Sequence, residues 1–222
     1  MRAFHFLSTK YALETIEKQR IKVSRLDDLN DPFELYALEL SNKKHRQAFR
    51  AWKKDVAQKT GLLCFSKSWG NPLLWSHYAD RHKGVALEFE IPDEFINEIS
   101  YFPERLVLDI DKKLSVGGLD EKDVQCLLTT KFKHWEYENE VRVFLRISEC
   151  ISENGLWFYR IGDEIKLVGI VYGPLCQLLE RDIASRLPKG KTLSLTKARL
   201  AFKTFSVVKN LRVDERIIEG KA

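Results

Sequence analysis

Between residues 84 and 91 apolar and polar positions alternate, with Val85, Leu87, Phe89 and Ile91 set against Ala86, Glu88 and Glu90. A period of two predicts a strand with one face on the core and the other in water. Residues 140–147 repeat the pattern, placing Val141, Val143 and Leu145 on one side and Arg142, Phe144 and Arg146 on the other. Shorter β-rich runs predict strands at 3–7, 21–24, 62–66, 106–110, 156–161, 166–172 and 202–208. Helical spacing takes over in other segments. Ala12, Leu13 and Ile16 form a stripe that predicts a helix from Thr9 to about Arg20, and Ala48, Phe49, Trp52 and Val56 predict another over 42–59, stopped by Gly61. Shorter helices are expected at 73–80, 93–99, 120–130 and 175–187, the third capped by Asp120 with Asp123 three residues on. Between the first strands and helices, Asn30-Asp31-Pro32-Phe33-Glu34 reads as a turn whose Asn30 and Asp31 side chains bond backbone amides.

Helices concentrate early and strands late, without strict βαβ alternation, so the expected class is α+β and not a doubly wound parallel sheet. No Gly/Ser or Pro-rich linker and no repeat divides the 222 residues, and a single domain over 1–222 is expected. The composition is that of a globular chain, with 44% apolar and 31% charged residues, 11 Gly and 6 Pro. Collagen-like, disordered and coiled-coil classes are excluded on that basis. The longest apolar runs, such as 167–172, fall far short of the roughly 20 residues of a membrane helix. The N-terminal apolar stretch is also too short for a secretory signal. Four widely spaced cysteines without a Cys-x-x-Cys pair predict buried free thiols in a reducing cytosol and no structural metal.

Charge adds a partner class. The net charge of +5 is uneven: residues 181–222 carry eleven basic and four acidic side chains, a surplus of seven. Lys43, Lys44, Arg46, Arg50, Lys53, Lys54 and Lys59 crowd the 42–59 helix against the single Asp55. Basic surfaces of this kind grip phosphates, so a nucleic-acid-binding or nuclease-like effector using that helix and the C-terminal tail is the alternative reading. Gly-x-Gly-x-x-Gly and phosphate-loop motifs are absent.

Four clusters carry candidate chemistry. His5 lies among aromatics on the opening strand. Ser66 and Ser68 leave a buried strand two residues apart, a spacing that puts two hydroxyls on one face. Trp75 and Tyr78, near Trp69, His77 and His82, supply flat faces for a planar ring. The two histidines are five residues apart and do not share a helix face as zinc ligands do. Glu138 and Glu140 open a late strand on one face, where two like charges push one carboxyl upward, and Arg142 continues that face. Glu88 and Glu90 repeat the Glu-x-Glu spacing, as the wet side of an alternating strand.

In order, the aromatic-flanked His5, Ser66-x-Ser68 and Glu138-x-Glu140 resemble the ADP-ribosyltransferase fold. That resemblance implies small, mainly antiparallel sheets flanked by helices and a site that splits NAD. His5, Ser66, Ser68, Trp75 and Tyr78 would bind the dinucleotide, Glu140 would stabilise the developing charge, and Glu138 would deprotonate a macromolecular acceptor or a water. Lys67 stands where that fold carries threonine. A second resemblance runs from Asn30 to Arg142. Asn30-Asp31-Pro32-Phe33-Glu34, Cys64-Phe65-Ser66, Leu74-Trp75-Ser76-His77-Tyr78-Ala79, His82-Lys83-Gly84-Val85 and Trp135-x-Tyr137-Glu138-x-Glu140-x-Arg142 are similar to the bacterial domain-of-unknown-function family numbered 2971. It implies a bacterial cytoplasmic protein, in a phage-defence or mobile-element setting.

Overall fold

A computed structural model describes residues 1–31, 33, 36–107, 113 and 118–221. Its centre is β4 (Val85–Glu90), paired antiparallel with β1 (Arg2–Leu7) on one edge and β11 (Lys166–Tyr172) on the other. β11 is followed by a parallel neighbour, β12 (Thr192–Leu200), which carries β13 (Val207–Lys209) and β14 (Arg216–Glu219) antiparallel. Across the sheet, β3 (Thr60–Ser66) pairs along its whole length with β8 (Glu140–Arg146). The other edge of β3 is shared. Phe4 of β1 meets Ser66 at one end, while β2 (Arg20–Arg25) meets Gly61 and Leu62 at the opposite end. β2 then leads outward to β10 (Leu156–Arg160) and β9 (Ile151–Glu153). The sheet therefore splits along β3, and between the two branches the His5 ring donates from Nδ1 to the Cys64 carbonyl at 2.9 Å.

The helices close the faces of this sheet. α1 (Thr9–Lys18) buries Ala12, Thr15 and Ile16 and stops where Gln19 turns left-handed at φ 48°. α2 (Lys43–Lys59) buries only Phe49 and Ala57, its start capped by the Asn42 side chain on the Lys44 amide. α3 (Pro72–Tyr78) has proline in its first turn, where no amide partner is needed, and Asn71 as its cap. α4 (Glu121–Leu128) carries the reciprocal Asp120–Asp123 cap that its sequence predicts. α5 is a single short turn over Glu180–Ala184. The main core gathers Ile16, Ile21, Leu63, Phe65, Leu87, Phe89, Val141, Val143 and Ile170. A second cluster under α3 holds Phe6, Leu74, Trp75, Ala79, Ala86 and Val171.

The class is α+β, with a mixed sheet flanked by helices. Among the described residues the sheets are not all small: twelve strands form one connected network, and β6 (Ser100–Phe102) with β7 (Thr130–Phe132) forms a separate parallel pair. Several local expectations change. The face of β4 expected to be wet is closed at Ala86 by α3, while Glu88 stays partly exposed and Glu90 exposed as expected. Residues 93–99 form a 3-10 turn over Asp93–Phe95 and then β5 (Asn97–Glu98), because pairing with β8 outweighs the helical spacing of Phe95, Ile96 and Ile99. The 175–187 helix shrinks to α5. The strand expected at 202–208 survives only as β13, while β12 and β14 went unpredicted. Leu106 bridges Leu38, and residues 108–110 of the strand expected there lie outside the described residues. All four cysteines are free, but only Cys176 is buried and Cys126 is exposed.

Gly61 and Gly84 are among the glycines fixed by close approach. Gly61 lies inside β3 and caps no helix; a Cβ there would sit 2.4 Å from Val23 Cγ1 and 2.9 Å from Ile147 Cδ1. At Gly84 the neighbour is backbone, with the Leu7 carbonyl oxygen 2.1 Å from the position of a Cβ. Gly84→Ala is therefore expected to destabilise by about 1–3 kcal/mol, the range for forced overpacking. Urea unfolding monitored by tryptophan fluorescence measures it, and a loss below about 0.5 kcal/mol would show that the chain yields there.

Candidate functional site

β3 ends at Ser66, and this end is stapled to the chain that enters β8. The Ser66 hydroxyl contacts the carbonyl oxygens of Glu138 at 2.7 Å and Ser68 at 2.8 Å. The Lys67 amide donates to the Asn139 carbonyl at 2.9 Å, and Asn71 Nδ2 donates to the Tyr137 carbonyl at 3.2 Å. Residues Lys133–Glu138 wind a 3-10 turn that ends at Asn139 with φ 46°, a left-handed geometry that asparagine tolerates better than most residues. This turn delivers Glu138 and the strand residues Glu140 and Arg142 to one side of the sheet. All three are buried.

Their charges form an alternating chain. Arg142 donates from Nε to Glu140 Oε1 at 2.8 Å and from its terminal nitrogen to Oε2 at 3.2 Å. Lys131, on β7, places Nζ 3.0 Å from Glu140 Oε2 and 2.5 Å from Glu138 Oε2. The remaining oxygen of Glu138 accepts the Tyr78 hydroxyl at 2.5 Å, and Asn30 Nδ2 donates to that hydroxyl at 2.9 Å. Arg142 also donates to the Leu128 carbonyl at 2.9 Å, and the Glu140 amide donates to the Tyr101 hydroxyl at 2.8 Å. Among the described residues two carboxylates and two cations balance, which is the condition for holding four charges away from water.

The electrostatics follow from this balance. Burial pushes the Glu140 carboxyl upward, but the guanidinium of Arg142 and the ammonium of Lys131 outweigh it and hold Glu140 at about 2. The expectation that the two glutamates would raise one another therefore fails for Glu140, because a cation stands between them. The Tyr78 phenol is raised well above its ordinary value by burial and by the Glu138 charge, so it remains a donor. Burial lowers His5, with the bond to the Cys64 carbonyl opposing. A carbonyl can only accept, so the neutral ring carries its proton on Nδ1 and leaves Nε2 as an acceptor.

A cavity of about 270 Å³ opens where the sheet splits. His5, Ser66, Tyr78, Lys131, Glu138 and Glu140 are among the residues that line it. Five of the seven residues singled out from the sequence thus converge. Trp75 does not: it is 0% exposed, packs edge-on against Phe6 at 5.0 Å and donates from Nε1 to the Trp69 carbonyl at 2.7 Å. It is a core plug with no face for a ligand, since the second apolar cluster surrounds it. Ser68 also stays away. It lies past the end of β3 with its side chain exposed, and its backbone serves the Ser66 hydroxyl. Two hydroxyls gripping one ligand from a single face do not occur here, because the strand period ends at Ser66.

Lys131, Asn30 and Tyr101 were missed as site residues. Lys131 is one of two lysines two residues apart, and nothing in spacing separates it from Lys133, whose ammonium pairs with Glu136 on the surface. The sequence predicts Asn30 in a backbone turn. The turn is half as expected: Asp31 Oδ1 accepts the Phe33 amide at 2.8 Å, while Asn30 reaches across to Tyr78. Pro32 and Glu34 lie outside the described residues. Among the described residues no group of three His, Cys, Asp or Glu side chains is arranged to hold a metal ion, and no helix is long and apolar enough to cross a membrane. No protein-family model, curated protein or solved structure matches this chain.

Proposed function

We propose that the cavity at the sheet split cleaves the nicotinamide–ribose bond of NAD and passes ADP-ribose to an acceptor or to water. One observation carries the reading: a buried carboxylate, Glu138, faces the cavity between a neutral donor and a cation, backed by the fixed Glu140–Arg142 pair. The order of motifs along the chain, which resembles the ADP-ribosyltransferase fold, points to the same pair of glutamates.

The distances redistribute the roles. Both Glu140 oxygens accept from Arg142, and one also accepts from Lys131, so a ribose hydroxyl would have to displace a buried cation to reach them. Glu138 Oε1 is held instead by the Tyr78 hydroxyl, a neutral group that exchanges for a ribose 2′-hydroxyl without stranding a charge. Glu138 is the catalytic carboxylate in this reading, and Glu140 is a positioning residue that sets Lys131. As the C1′–N bond breaks, its electron pair leaves with nicotinamide and positive charge moves onto the ribose. An anion fixed beside that ribose gains strength as the charge appears, the condition for lowering the barrier and not merely tightening binding. Tyr78 offers its ring to the nicotinamide, and Nε2 of His5 accepts from a ribose hydroxyl. Glu138 then takes the proton of the incoming nucleophile.

Incubation of the protein with NAD, with nicotinamide and ADP-ribose measured by mass spectrometry, tests this directly. Wild-type protein that neither binds nor cleaves NAD, with cell lysate supplying acceptors, overturns it. Asn30→Ala is a finer probe. It removes the donor that orients Tyr78 but no charge, so release is expected to fall about tenfold while stability drops by only about 1 kcal/mol. A loss of stability with unchanged release would return Asn30 to a purely structural part.

A further inference from the structure

A second cavity, of about 410 Å³, lies on the other side of Lys131, which lines both. Its walls include Phe33, Tyr36, Phe102, Phe132 and Arg105. Three of these rings are unusually open for phenylalanine: Phe33 is 62% exposed, Phe102 39% and Phe132 47%. Arg105 places its guanidinium 5.5 Å from the Phe33 ring centre. Part-open aromatic rings around one concavity, Phe132 stacked on His134 at 4.7 Å and a guanidinium among them, suit a further flat ring that stacks.

The surroundings specify which flat ring. Tyr36 packs against Phe49 of α2 at 5.7 Å, and Lys53 of α2 lies 4.4 Å over the Tyr36 ring. The cavity wall is thus continuous with the basic helix. On α2, Lys43, Arg50 and Lys54 are exposed and fall within a narrow stripe at 100° per residue, about 16 Å long. A row of cations on a helix that packs against the wall of an aromatic cavity is an arrangement that suits single strands, the cations following the phosphates and the rings stacking on bases.

We infer that the Phe33–Phe102–Phe132 cavity takes an unpaired base of a single-stranded nucleic acid whose backbone runs along α2, and that this base is the acceptor of the transfer. The acceptor role rests on the NAD reading above; the binding does not. In the transfer a nucleophilic nitrogen or oxygen of the base forms the bond to ribose C1′. The C1′–N bond electrons depart with nicotinamide, and the displaced proton of the base passes to Glu138. Lys131, which lines both cavities, is the wall they share.

Fluorescence anisotropy with labelled 12-nucleotide single-stranded DNA, single-stranded RNA and duplex DNA, without NAD and over a range of salt, tests the binding. Tighter binding of one or both single strands than of duplex is expected. Phe102→Ala combined with Phe132→Ala should weaken it about tenfold or more at an unchanged salt slope. Lys43→Ala, Arg50→Ala and Lys54→Ala together should reduce that slope by about 2 and leave NAD hydrolysis in water unchanged. Should the double variant melt early, Phe132→Leu keeps bulk and removes the stacking face. Equal affinity for duplex, or binding indifferent to the aromatic variants, overturns the assignment. So does ADP-ribose label found only on protein. Single-strand binding without nicotinamide release would sink the NAD reading and the acceptor role with it, but keep the base-binding cavity; release without single-strand binding would do the reverse.

Discussion

Glu140→Gln is expected to lower the melting temperature by about 6–20 °C, following a loss of about 3–5 kcal/mol for breaking a buried ion pair in a domain of this size. Glutamine has the same shape, so packing is unchanged. What changes is charge: Arg142, 1% exposed, would lose the carboxylate to which its Nε and a terminal nitrogen donate, and the buried Lys131 would lose one of its two glutamates. From the alternating pattern alone the substitution looks mild, as a change on a half-wet strand. Burial reverses that expectation. The same pair sets a pH signature. Glu140 is held below its ordinary value, to about 2, so its stabilisation is complete above about pH 4.5 and is lost as pH falls toward 2. The gap in melting temperature between wild type and Glu140→Gln should therefore close over that window. A variant that melts within about 2 °C of wild type at pH 7 would show that the cations do not depend on Glu140.

Glu138→Gln is expected to reduce nicotinamide release by about 100- to 1,000-fold, the scale of removing one electrostatic contact made to developing charge. Affinity for NAD should hardly move, because the lost interaction grows only as the bond breaks. Lys131 keeps Glu140 as a partner at 3.0 Å, and the amide oxygen still accepts the Tyr78 hydroxyl, so the melting loss should be smaller than for Glu140→Gln. Steady-state release with thermal melts on the same samples separates the two effects. Release near the wild-type rate from Glu138→Gln would remove this carboxylate from the reaction.

The sequence was informative where side chains act through their own strand. The period of two set Glu140 and Arg142 on one face, and β3 and β8 bring Ser66 opposite Glu140. It was silent on partners supplied from far away. Lys131 enters from β7 and Asn30 from the loop after β2, and each is chosen by the space it reaches and not by its neighbours in sequence. Apolar spacing also misled where the sheet claimed the backbone. Phe95, Ile96 and Ile99 fit a helix, yet Asn97 lies opposite Arg142. Aromatic density points to Trp75 as a ligand platform because it does not reveal which ring is enclosed. Tyr78, three residues on, faces the cavity.

The forked sheet has a bearing on how the molecule comes into being. The pairs that frame the fork span long stretches of chain, with Phe4 opposite Ser66, Cys64 opposite Arg142 and Val23 opposite Trp157. Each requires a large loop to close before any contact rewards it, and topologies dominated by such pairings fold slowly. During synthesis β1 and β3 leave the ribosome many residues before β8, and neither Glu138 nor Arg142 can reach its place until β8 has been made. The nascent chain thus carries an unfinished hollow until β8 has emerged, and the pocket is completed shortly before β10 clamps β2.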